Sequence, residues 1–64
     1  MLKINGEELE AAGQTVAAFL SSAGYDVSRV VVELNEAVVP RGKYAETVLH
    51  DGDLVEIVCF MGGG

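Results

Sequence analysis

Cysteine, proline, histidine and tryptophan are almost missing from this chain, and positive charge is scarce. Its 64 residues hold one cysteine (Cys59), one proline (Pro40), one histidine (His50) and no tryptophan. A lone cysteine excludes an internal disulfide and fits a reducing compartment. His50 has no second histidine or cysteine near it, so no metal set is expected, and it reads as a solvated turn residue. Lys and Arg number 4 against 10 Asp and Glu, a formal charge of -6. With no basic stripe to neutralise phosphates, nucleic acid is excluded as a partner. The acidic excess favours encounter with a basic protein surface instead. Arg41 and Lys43 sit together; they read as solvated side chains ahead of the alternative, contact with an acidic patch on a partner. No apolar run approaches the roughly 20 residues of a membrane span. Met1 to Asn5 has no signal-peptide core, so a cytoplasmic protein without a membrane partner is expected. No Ser-His-Asp set or carboxylate pair stands out, and no catalytic residue is assigned.

What is present is a small folding unit. Half of the residues are hydrophobic and 22% are charged, a globular composition. A domain of this length buries only about 60% of its unfolded surface, which leaves one modest core and no deep cleft.

Leu2 and Ile4 alternate with Lys3 and Asn5, the period of a half-buried strand. Asn5-Gly6 is a hairpin signal, since both residues tolerate positive φ. Glu7 to Glu10 returns as an acidic edge strand. Thr15 is placed to cap a helix of about nine residues, with Val16, Phe19, Leu20 and Ala23 on one apolar face and Gly24 as its stop. A helix that short must pack on a sheet. Val30, Val32 and Leu34 share one face of the next strand, and Val31 and Glu33 the other. Asn35-Glu36-Ala37 turns into a short strand, Val38-Val39, ended by Pro40. Arg41 to His50 reads as a loop with one helical turn, sending Val48 and Leu49 to the core. Tyr25 and Tyr44 are expected to cover core edges.

Asp51-Gly52-Asp53 leads into the last strand. Val55, Ile57 and Cys59 lie on one side of it, Glu56, Val58 and Phe60 on the other. Both sides are largely apolar, so the strand is expected at the centre of the sheet. Cys59 is expected as a small core residue. Val58 and Phe60 are the candidate partner-docking residues, an apolar pair with an aromatic beside Glu56. The competing expectation puts Tyr44 or Val48 over that face.

After Phe60 come Met61, Gly62, Gly63 and Gly64. Residues 1–60 therefore read as the folded domain and 61–64 as a flexible glycine tail. Glycines bring no side chain to bury and lose the most freedom on ordering. The tail is expected to act as a probe with the Gly64 carboxyl at its tip. Fully extended, Met61 to Gly64 would span about 13 Å, at about 3.3 Å per residue. It is not a phosphate-binding loop, which needs a following helix.

The order hairpin, helix, strand pair, final strand resembles the β-grasp fold of ubiquitin: α+β, a mixed sheet of four to five strands on one helix. The resemblance narrows at Ile4-Asn5-Gly6-Glu7, Val32-Glu33-Leu34-Asn35, Val38-Val39-Pro40-Arg41 and Asp51-Gly52-Asp53-Leu54-Val55-Glu56-Ile57-Val58. With the glycine end, these look like the ThiS family of sulfur carriers in thiamine biosynthesis. Glu36 departs from that pattern, where glycine is common.

The resemblance implies a protein co-substrate and not an enzyme. A ThiF-like adenylyltransferase would activate the Gly64 carboxylate with ATP, which the partner uses, so no cofactor is bound by this chain. A protein-bound persulfide would supply the sulfur for a thiocarboxylate at Gly64, and a ThiG-like thiazole synthase would receive it. Met61, Gly62, Gly63 and Gly64 would thread into the partner site. A carrier for molybdopterin or tRNA thiolation, or a β-grasp module that binds without covalent chemistry, remains open on the residues alone.

Overall fold

The computed structural model describes residues 1–60. Strands β1 (Leu2–Ile4) and β2 (Glu7–Leu9) pair antiparallel around Asn5 and Gly6. Both turn residues have positive φ, 52° and 84°. A type I′ turn requires this, and its twist matches that of the flanking strands.

Helix α1 (Val16–Ser22) follows, seven residues long. Its first three N–H groups have no partner within the helix, and each finds one outside. Val16 donates to the Thr47 carbonyl at 2.8 Å and Ala17 to that of Tyr44 at 3.0 Å. Ala18 donates to Oγ1 of Thr15 at 3.0 Å, the expected cap. At the other end Gly24 takes φ of 85°. Gly24 donates to the Ser21 carbonyl at 3.3 Å and Tyr25 to that of Leu20 at 2.9 Å. These are the two bonds of a Schellman ending. The rings of Tyr25 and Phe19 lie 6.5 Å apart and supply its apolar contact.

A short 3₁₀ turn, Val27–Arg29, leads into β3 (Val30–Leu34), which pairs antiparallel with β4 (Ala37–Val39). A second 3₁₀ turn, Arg41–Lys43, starts the segment that runs under the helix start. β5 (Leu54–Cys59) ends the described fold. The five strands form one mixed sheet in the order β2-β1-β5-β3-β4. β5 is central, as its two apolar faces suggest, and runs parallel to β1 and antiparallel to β3. β2 is an edge, as its acidic residues suggest.

The core lies between α1 and one face of the sheet. Leu2, Val30, Val32, Leu20 and Leu49 are its most deeply buried large side chains. No helix among the described residues is long and apolar enough to cross a membrane.

Three expectations are corrected. Cys59 is exposed rather than in the core. β1 pairs with β5 only as far as Ile4 opposite Val55, so β5 outruns that neighbour and Cys59 has no strand on one flank. Val48 is exposed while Leu49 is buried. Val48 bridges to Thr15 as a short strand would, and alternation then allows only one of the two to face inward. Tyr44 is a core residue, 4% exposed, and not an edge cover.

Candidate functional site

The helix occupies one face of the sheet, and among the described residues the opposite face stays open. On β5 that open face carries Leu54, Glu56 and Val58. Val31 of β3 lies opposite Val58, and Glu33 opposite Glu56. Val38 of β4 lies opposite Glu33. Leu54, Val58 and Val38 are each half exposed or more, and so is Phe60 just past the strand. Val31, Val58 and Phe60 lie at one end of this face, and Glu56 separates them from Leu54; exposed apolar residues grouped on one face suit contact with another surface.

Val58 and Phe60, the two docking residues expected from sequence, are thus brought to one open face. Tyr44 is buried on the other side of the sheet and does not cover them. The sequence reading missed Leu54, Val31 and Val38. Leu54 was findable, because it lies two and four residues before Glu56 and Val58. Val31 and Val38 depend on which strands lie beside β5, and nothing local in the chain reports that.

The open face is acidic as well as apolar. Glu33 and Glu56 are directly opposed across β3 and β5. Like charges in that relation are destabilising, by up to about 1 kcal/mol relative to a neutral pair. With Glu36 they line a depression of about 280 Å³ between the two hairpin turns, together with Lys3 and Leu54. Among the described residues no group of His, Cys, Asp and Glu is placed to hold a metal ion.

β5 leaves the sheet at the end where β3 begins and β4 finishes. There the Phe60 N–H donates to the Arg29 carbonyl at 2.7 Å, one bond beyond the last paired rung. The expected reactive residue, Gly64, and the expected threading residues Met61, Gly62 and Gly63 lie outside the described residues.

A helix held across a five-stranded mixed sheet, with the first and last strands parallel at its centre, defines a ubiquitin-like β-grasp domain. A crystal structure of the thiamine biosynthesis protein ThiS from Geobacter metallireducens shares this fold with a TM-score of 0.79 and 37% identity, over 98% of this chain and 97% of that one. The ThiS family model matches residues 2–64, and the chain belongs to the ThiS family. It is 36% identical to the sulfur carrier protein ThiS of Thermus thermophilus, with each chain covered in full. It is also 48% identical over 64 residues to a thiazole synthase of Paramagnetospirillum magneticum, covering 98% of this chain but spanning only 20% of that protein.

Proposed function

We propose that this chain is a sulfur carrier for thiazole formation in thiamine biosynthesis, with the Gly64 carboxyl as the group that carries sulfur. A carboxylate is a poor electrophile. Adenylation by a ThiF-like partner using ATP turns one of its oxygens into part of a leaving group and releases pyrophosphate. The terminal sulfur of a protein persulfide then attacks the carbonyl carbon, and AMP leaves. A thiol cleaves the remaining sulfur–sulfur bond, which leaves the thiocarboxylate. Every catalytic group in this scheme belongs to a partner.

The observation that carries the proposal is the placement of β5. The central strand ends at Cys59, a few residues before the end of the sequence, and Val58 and Phe60 are exposed at that end of it. A partner that grips this face has the following residues in reach. Glu33, Glu36 and Glu56 suit a basic surface on that partner. The glycines need no room for side chains, and gripping the body offsets an ordering cost of about 1–2 kcal/mol per tail residue. The 48% identity to part of a thiazole synthase supports thiazole synthase as the recipient.

The test is intact-mass analysis after incubation with ATP, a ThiF-like adenylyltransferase and a persulfide donor. Exchange of one oxygen for sulfur at Gly64 is expected. Deleting Gly64, or adding one residue after it, is expected to abolish the exchange and leave unfolding nearly unchanged. An unmodified mass, under conditions that thiocarboxylate a ThiS protein of known activity, overturns the proposal.

A further inference from the structure

The chain is acidic overall, yet its scarce positive charge is gathered in one place. Of the four basic residues, only Lys3 lies away from the end of the sheet where β5 exits. Arg29 is the residue whose carbonyl holds the Phe60 N–H. Arg41 starts the turn after β4, and its Nη2 comes within 3.5 Å of the Ser28 carbonyl, next to Arg29. Lys43 follows on the same turn. Two acidic residues accompany them: Asp26, 3.5 Å from Arg29 Nε, and Glu46, 3.5 Å from Lys43 Nζ. Both pairs are exposed, so each basic group keeps much of its charge available to a partner. Among the described side chains, three basic groups thus meet two carboxylates here, while Lys3, Glu33 and Glu56 lie elsewhere along the strands.

We propose that Arg29 and Arg41 form a basic collar at the root of the C-terminal segment, which docks on an acidic rim around the partner's tail-receiving site and orients the encounter tail-first. The proposal rests on the carrier reading and adds to it a second surface of opposite sign. A uniformly acidic body would approach a basic partner in any rotation. A body with one positive end feels a torque as well as an attraction, and oriented charge of this kind raises productive association rates. Both side chains are exposed in the folded domain and are free to meet a partner.

The test measures association with a ThiF-like adenylyltransferase by stopped-flow fluorescence, for the wild-type chain and for Arg29→Gln/Arg41→Gln. The collar predicts association slower by about 3- to 10-fold at low salt, with the two rates converging as salt rises. Arg29→Lys/Arg41→Lys keeps the charge and is expected to restore the rate. Attraction through net charge alone predicts the reverse, because the Gln variant is the more acidic and would associate faster. An unchanged or faster rate overturns the collar. Thiocarboxylation of the wild-type chain is measured alongside. If it occurs while the rates are unchanged, the collar alone falls; if it does not occur, the carrier reading falls and the collar with it.

Discussion

The side-chain amide of Asn5 pairs with the backbone of Ile57 in both directions. Its Nδ2 donates to the Ile57 carbonyl at 3.2 Å, and its Oδ1 accepts from the Ile57 N–H at 2.8 Å. The two residues are 52 positions apart. One turn residue thus extends the β1–β5 ladder by a rung that β1 is too short to make. Asn35 does the same at the other hairpin, accepting from the Leu54 N–H at 2.9 Å and donating to Asp53 Oδ1 at 3.1 Å. Two asparagines at positive φ clamp the central strand from both sides.

Asn5→Gly keeps the positive φ and removes both bonds to Ile57. A loss of about 1–2 kcal/mol is expected, with the urea m-value unchanged. Asn5→Asp is expected to cost more at neutral pH, because a carboxylate oxygen then faces the Ile57 carbonyl. Urea unfolding of both variants checks the order.

Glu36 holds φ of 72° in the turn between β3 and β4. A side chain in the left-handed region costs about 1–2 kcal/mol, so Glu36→Gly is expected to raise the melting temperature, by about 4–8 °C for each kcal/mol recovered. The gain is reduced by the greater freedom of glycine in the unfolded chain. An unchanged or lower melting temperature would show that Glu36 sits there without strain.

Phe60 is 57% exposed and Val58 50%. Phe60→Ala is expected to change stability by less than about 0.5 kcal/mol. Its binding to the adenylyltransferase should weaken by about 2 kcal/mol, near 30-fold in Kd, as for an aromatic at the centre of an interface. Calorimetric titration beside thermal unfolding separates the two effects. A large stability loss with binding preserved would move Phe60 from the docking face into the fold.

Cys59 was expected inside and lies outside. The folded domain is therefore expected to react with a thiol reagent without prior unfolding, and Cys59→Ser to be nearly neutral for stability. Protection of the thiol until the urea transition would contradict the exposed position.

The Asp26 carboxylate accepts from the Ser28 hydroxyl at 2.7 Å and from the Ser28 N–H at 3.0 Å. These bonds, with Arg29 nearby, hold its pKa below the ordinary 3.8. A lowered acid pKa means that the charged form is favoured by folding. Its contribution is complete above the ordinary carboxylate range and fades as pH falls through the lowered value. Ser28→Ala is expected to shift the Asp26 titration upward in carbon-detected NMR. The melting temperature of the variant should then differ from wild type at neutral pH and converge with it in acid.

Much of this protein was determined by the sequence alone, because much of it is local. Positive φ at Asn5, Gly6 and Gly24, the cap at Thr15 and the inward alternation of Val30, Val32, Val55 and Ile57 each depend on a few neighbouring residues. The central place of β5 was expected too, from apolar residues on both sides of the strand, although the structure leaves its Leu54, Glu56 and Val58 side exposed. Exposure was a different matter. Cys59 follows the same alternation as Ile57, but β1 stops short of it. Tyr44 and Val48 share one loop, and the bridge to Thr15 governs which side of that loop faces in. The grouping of Val58 with Val31 and Val38, the opposition of Glu33 and Glu56, and the meeting of Arg29, Arg41 and Phe60 all join residues far apart in the chain. Periodicity tells which way a side chain points. Only the lengths and order of the strands beside it decide what it meets there.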